Sequence, residues 1–184
     1  SHLPDKPVVV EVADYVVMGA AEKSFPELCR LLLSGTRPIG KEIRSDELAL
    51  DQLRQPYQYY SDDDIKSRLI YVEASRGCPF KCEFCLSSLD KTSKPFELGM
   101  FLDEMDALYR RGARNFKFID RTFNLKVSSS IAILEFFLER MADDLYLHFE
   151  VIPDNLPEKL RAVIQKFPHH SLQFEIGVQT FDEN

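Results

Sequence analysis

The sequence predicts an α/β chain built on a parallel sheet. Three observations carry that reading: four short strand patterns, three helical patterns that alternate with them, and glycine or proline where the helices should stop. The first strand is Arg68 to Ala74, in which Leu69, Tyr71 and Glu73 alternate with Ile70, Val72 and Ala74. Phe96 to Arg111 follows as a helix. Its apolar residues at 98, 101, 102, 105, 108 and 109 share one face, and Gly112 ends it. Asn115 to Asp120 is the second strand. Ser128 to Met141 is the second helix, with Ser128, Ser129 and Ser130 offering an N-cap. Leu145 to Ile152 is the third strand, closed by Pro153. Leu156 to Phe167 is the third helix, with Pro157 near its first turn and Pro168 just beyond its end. Ser171 to Val178 is the fourth strand.

Composition fits an enzyme-sized soluble core. With 184 residues, 45% of them hydrophobic, the chain can bury one substantial core. A net charge of −7 argues against a broad nucleic-acid footprint. The basic run around Arg110, Arg111 and Arg114 reads as a solvated helix end. No apolar run approaches a membrane span, and no secretory signal is visible, so a cytoplasmic location is expected and a disulfide framework is not. Cys29, within the apolar run Phe25 to Leu33, is expected to be a small buried hydrophobe.

Cys78, Cys82 and Cys85, spaced C-x3-C-x2-C directly after the first strand, are the most informative residues. Three thiolates from one loop can hold three corners of a [4Fe-4S] cluster and leave one iron without a protein ligand. Zinc with a remote histidine (His148, His169 or His170) is an alternative. Structural zinc sites usually present C-x2–4-C pairs with a second ligand pair, and that second pair is absent. Sites in parallel β/α structures gather at the C-terminal strand ends. That rule nominates Asp120 to Asn124 after the second strand, Glu150 near the end of the third, and Gln179-Thr180 after the fourth. Arg121 would face either a ligand carboxylate or an acidic partner. His148 shares a face with Glu150 and reads as a hydrogen-bonded core residue.

The run Arg76-Gly77-Cys78-Pro79-Phe80-Lys81-Cys82-Glu83-Phe84-Cys85 resembles the C-x3-C-x-Φ-C signature of radical S-adenosylmethionine (SAM) enzymes, with Phe84 as Φ. The resemblance implies a partial TIM-like (β/α) barrel, with a [4Fe-4S] cluster on the three cysteines and SAM chelating the open iron. It also implies reductive cleavage of SAM to a 5′-deoxyadenosyl radical, fed by an electron donor such as flavodoxin or ferredoxin. By the same resemblance Phe84 lies beside the adenine, and Asp120 stands where the family often has Gly-Gly-Glu against the methionine amino group. Glu150 and Gln179, the latter in Glu175-Ile176-Gly177-Val178-Gln179-Thr180, address the ribose; for Glu150 the alternative is a carboxylate paired with a nearby base inside the barrel. The barrel would be truncated after its fourth strand.

Upstream, Ala13-Asp14-Tyr15-Val16-Val17 and Phe25-Pro26-Glu27-Leu28 resemble the C-terminal edge of the cobalamin (B12)-binding domain that precedes the barrel in one radical SAM class. The Asp-x-His-x-x-Gly signature of the lower cobalt ligand is absent, so cobalamin would be bound outside this segment. A short αβ segment packing on the barrel serves equally well, and Val10-Glu11-Val12 reads as two apolar strands run together. The expected organisation is a cobalamin-domain edge over residues 1–34, a linker over 35–66 and the radical SAM core over 67–184. The linker assignment rests on lost periodicity, Pro38, Gly40, Pro56 and the acidic Asp62-Asp63-Asp64, with Tyr57, Tyr59 and Tyr60 available to dock it. The expected activity is radical SAM chemistry on an unidentified substrate, with methyl or alkyl transfer or rearrangement favoured if cobalamin takes part. A methylthiotransferase acting on RNA or protein would share the motif but add cysteines and a basic domain. A non-catalytic zinc or iron–sulfur module would account for the cysteines alone.

Overall fold

The computed structural model describes residues 8–45, 49–82, 85 and 92–177. The chain divides into two units, Ser1–Arg54 and Gln55–Asn184.

The first unit is a βαβ turn of chain. Helix α1 (Val8–Val12) leads to strand β1 (Val16–Met18), helix α2 (Ala21–Leu33) and strand β2 (Glu42–Arg44). β1 and β2 pair in parallel, Val17 opposite Ile43. The apolar run at 8–12 is therefore a helix, not a strand: five residues close one helical turn before Asp14, and the strand begins only at Val16. Leu28 takes the buried position on α2, and its neighbour Cys29 is half-buried where burial was expected.

In the second unit, helix α3 (Asp62–Ser67) precedes strand β3 (Ile70–Val72), and strands β4 (Ser75–Gly77) and β5 (Ser93–Pro95) follow. Helix α4 (Leu98–Arg110), strand β6 (Asn115–Phe118), helix α5 (Val127–Leu138), strand β7 (Tyr146–Val151), helix α6 (Glu158–Ile164) and strand β8 (Leu172–Ile176) complete it. The main sheet has the order β3-β6-β7-β8, every pair parallel. This is the α/β architecture that the alternating patterns predict.

Strand alternation separates the two faces of that sheet. Ile70, Val72, Phe116, Phe118, Leu147 and Phe149 are buried in one cluster with α4, α5 and α6 residues such as Phe101, Leu134 and Leu160. The opposite face presents Tyr71, Lys117, His148, Glu150 and Glu175, none of them buried. Phenylalanine dominates the core: Phe118 and Phe149 stand 4.5 Å apart between ring centres, and Phe123 lies 4.0 Å from Phe149.

One helix cap differs from the sequence reading, and a second is one it did not assign. α5 begins at Val127 behind Lys126, so Ser128–Ser130 do not cap it. Ser130 is buried and donates to the carbonyls of Phe123 (2.8 Å) and Lys126 (3.1 Å). α4 instead has a carboxylate cap: Glu97 accepts from the N–H groups of Gly99 and Met100 at 2.9 and 2.7 Å, which hold its pKa down. Gly112 ends α4 at φ 103°, a conformation natural to glycine.

The stretch lacking periodicity also contains more structure than its composition suggests. Asp62-Asp63-Asp64 is the first turn of α3, where acidic residues suit the helix dipole. Ser61 and Asp64 form a reciprocal capping box, with Asp64 N–H donating to Ser61 Oγ (3.1 Å) and Ser61 N–H to Asp64 Oδ2 (3.0 Å).

Tyr57 and Tyr60 do dock this segment, through their hydroxyls. β3 is an edge strand and its outer backbone groups need partners. Tyr57 Oη accepts from Glu73 N–H (2.8 Å) and donates to Glu73 C=O (3.3 Å). Tyr60 Oη does the same for Tyr71, at 3.2 and 3.0 Å. Burial pushes both phenols upward in pKa, so both remain protonated donors. Tyr59 is 80% exposed and takes no part. Tyr57→Phe removes the partner of the Glu73 N–H and leaves its carbonyl with the 3.5 Å bond from Gln55 Nε2, and should cost about 1–3 kcal/mol in urea unfolding. Tyr59→Phe should stay within about 0.5 kcal/mol. Equal losses from both would contradict the edge-capping role.

Candidate functional site

The site forms where β3, β6 and β7 end. β3 runs into β4, which pairs antiparallel with β5, Arg76 opposite Lys94. The cysteine-bearing segment is thus a loop closed at its base by a two-stranded ladder, with Phe96 N–H donating to Ala74 C=O (3.0 Å) just outside it. Gly77 has φ 92°, so the backbone turns at the residue before Cys78 in a way that L side chains resist.

Cys78 is 9% exposed and its Sγ lies 4.0 Å from Thr122 Oγ1. Cys82 and Cys85 are half-buried, and Cys85 N–H donates to Cys82 C=O at 3.0 Å. The donor set, three sulfurs on one loop, suits an iron–sulfur cluster in kind. Among the described residues no three His, Cys, Asp or Glu side chains converge closely enough to hold a metal ion as they stand. Phe84 and Gln179 lie outside the described residues.

Asp120 is placed at the loop's foot. It is 2% exposed, with Oδ2 accepting from Ala74 N–H (2.9 Å) and Oδ1 from the Ser75 hydroxyl (2.6 Å). Both oxygens therefore hold the start of β4 against the end of β6. Burial pushes its pKa up to about 6, opposed by the two hydrogen bonds and aided by the nearby Glu73 charge.

Glu150 and Arg121 share a cavity of about 500 Å³ with Glu73, Arg76 and Ile119. Its wall includes Ser75 and Gly77, which lead directly into Cys78. Glu73 and Arg76 neutralise each other through two parallel hydrogen bonds of 2.9 and 2.8 Å. Among the described residues, no ion pair engages Arg121 or Glu150. One guanidinium and one carboxylate thus face a common space at adjacent strand ends. Asp120 instead lines a second, smaller cavity of about 120 Å³ with Thr122 and Ser130.

His148 is not the satisfied core residue that its position suggests. Its Nε2 lies 3.3 Å from Glu175 Oε2 at an angle outside good hydrogen-bond geometry. Lys117 Nζ donates to the same oxygen at 3.1 Å and chiefly accounts for the lowered pKa of Glu175, with His148 adding to it.

Two contributors were missed by the sequence reading: Glu73 and Arg76. Glu73 and Arg76 carried a signal, an acid and a base three apart bracketing the end of a strand. Thr122 lay within the nominated segment Asp120 to Asn124, but its approach to Cys78 depends on the fold bringing the two together.

No family model matches the chain. An uncharacterized methyltransferase of Pyrococcus horikoshii is 28% identical, over 65% of this chain and 31% of its own length. Two solved structures of the radical S-adenosylmethionine methyltransferase TsrM of Kitasatospora setae share the fold. One, with cobalamin and a [4Fe-4S] cluster bound, matches 60% of this chain and 21% of its own at 21% identity and a TM-score of 0.50. The other, with tryptophan substrate and the SAM analogue aza-SAM bound, matches 92% and 38% at 18% identity and a TM-score of 0.64. The chain spans about a third of the length of the curated relative, 31% of it.

The raised pKa of Asp120 makes a pH prediction. A carboxyl whose folded pKa is about 6, above its ordinary 3.8, stabilises the fold fully below about pH 4 and loses that contribution as pH rises through 6. Between pH 4 and 7 the unfolding free energy of the metal-free protein should fall relative to Asp120→Asn by an amount on the order of 2–3 kcal/mol. Parallel pH profiles for the two proteins would refute the assignment.

Proposed function

We propose that this chain carries the cluster-binding part of a radical SAM enzyme that transfers a methyl group from SAM or cleaves it reductively. The observation that carries the reading is the cysteine loop itself. It leaves the end of a parallel strand, is closed at its base by a ladder, and its stem at Ser75 and Gly77 lines a cavity that Arg121 and Glu150 also line. The fold shared with TsrM and the methyltransferase relative support it.

On this reading Cys78, Cys82 and Cys85 hold a [4Fe-4S] cluster, which supplies an open iron for SAM and one electron for its sulfonium. Arg121 binds the SAM carboxylate with a planar guanidinium suited to that group. Glu150, Gln179 and Phe84 address the ribose and adenine. Asp120, whose oxygens are already engaged, holds the loop rather than the methionine amino group. That group falls to the backbone carbonyls at the end of β6. The four-stranded sheet is the first part of a partial β/α barrel, the first unit the edge of a cobalamin-binding domain, and a flavodoxin or ferredoxin the electron donor. Among the described residues no helix is long and apolar enough to cross a membrane, and a reducing cytoplasm would keep the thiols available.

Anaerobic reconstitution of the full chain with iron and sulfide, followed by reduction with SAM, tests the reading. About four irons per chain are expected, with Cys82→Ala losing the cluster. 5′-Deoxyadenosine as product marks reductive cleavage, and S-adenosylhomocysteine marks direct methyl transfer. Tight zinc binding with no response to SAM would overturn both.

A further inference from the structure

We propose that Thr122 is a positioning residue whose hydroxyl sets the reduction potential of the site by donating a hydrogen bond to the Cys78 sulfur. The inference rests on the cluster assignment above and adds a residue to it.

Thr122 is 4% exposed and Cys78 9%, so both are largely withdrawn from bulk water. Their Oγ1 and Sγ atoms are 4.0 Å apart, although the residues are 44 positions apart in sequence. In the protein as described, the Thr122 hydroxyl donates to the Arg121 carbonyl at 2.8 Å. Its oxygen is then left to accept from the Cys78 thiol. A thiolate has no proton to give and can only accept. On losing its proton the sulfur becomes the stronger acceptor, and rotation about the Cβ–Oγ1 bond turns the hydroxyl to it without moving a heavy atom.

The threonine cannot drift from that place. On one side Asp120 is fixed to Ala74 and Ser75. On the other, the Phe123 ring lies against Phe149. Asn124 is fully buried, its Nδ2 donating to the carbonyls of Ile152 and Asn155 at 2.7 Å each and its Oδ1 accepting from Ile152 N–H at 3.0 Å. A hydrogen bond to a ligand sulfur favours the more negative, reduced form of a cluster and raises its potential.

The test uses the full chain, reconstituted anaerobically, with the potential read by EPR-monitored titration. Thr122→Val keeps the shape and removes the hydroxyl. It should load as much iron and sulfide as the wild type, yet show a roughly fivefold lower ratio of reduced to oxidised cluster at the wild-type midpoint. Thr122→Ser should restore the wild-type value. A valine variant that does not fold or load is replaced by Thr122→Ala, which removes the same hydroxyl without filling its space. An unshifted midpoint in the loaded hydroxyl-free variant, or equal shifts in it and in the serine variant, would overturn the inference alone. A wild-type chain that takes up no cluster would overturn the cluster assignment and this inference together.

Discussion

The burial of a single carboxylate organises the rim of this sheet. Asp120 is removed from water at a cost visible in its raised pKa, and two hydrogen bonds to Ala74 and Ser75 partly offset that cost. An isolated backbone N–H and a serine hydroxyl would be poor reasons to bury a charge on the surface of a loop. Here they are the foot of the cysteine-bearing hairpin, and the carboxylate is what ties that foot to the end of the neighbouring strand. The next residues continue the job at other partners: Thr122 reaches Cys78, Phe123 enters the aromatic core, and Asn124 clamps the end of β7. Residues 120–124 thus link three strand ends through alternating polar and apolar contacts.

The same logic explains why β3 tolerates its place at the edge. Two tyrosine hydroxyls act as a surrogate strand, each both accepting from an N–H and donating to a C=O of one residue. The second of those residues, Glu73, is also the acid that pairs with Arg76 in the wall of the larger cavity. Capping the edge and shaping the cavity are therefore coupled through one backbone position. Arg111, which donates to the Tyr60 carbonyl and pairs with Asp62 at 3.0 Å, holds this segment to the end of α4.

Much of this was legible in the sequence. Alternation and helical periodicity located the four parallel strands and the helices between them, because each element buries one face against a common core. The cysteine spacing located the loop, and the strand-end rule selected Asp120, Arg121 and Glu150. Short-range polar chemistry was harder to read. Ser128–Ser130 look like a cap, but Ser130 turns inward to the Phe123 carbonyl, and the cap of α4 is Glu97, an unusual residue for that place. Asp62–Asp64 read as a linker because charge runs usually do; their role at a helix start depends on Ser61 standing one residue before them. Asp120 stands at the strand end that the rule pointed to, but its carboxylate is engaged by Ala74 and Ser75 and lines the smaller cavity, a matter of packing that no local pattern encodes.

The proposed function requires that one iron of a cluster held by three cysteines be open to SAM at this rim. Mössbauer spectroscopy of the 57Fe-reconstituted full chain, with and without SAM, tests that directly. One iron of the four should change its isomer shift when SAM is added, while the three bound to Cys78, Cys82 and Cys85 stay as they were. Four irons that respond alike, or a spectrum indifferent to SAM, would contradict it.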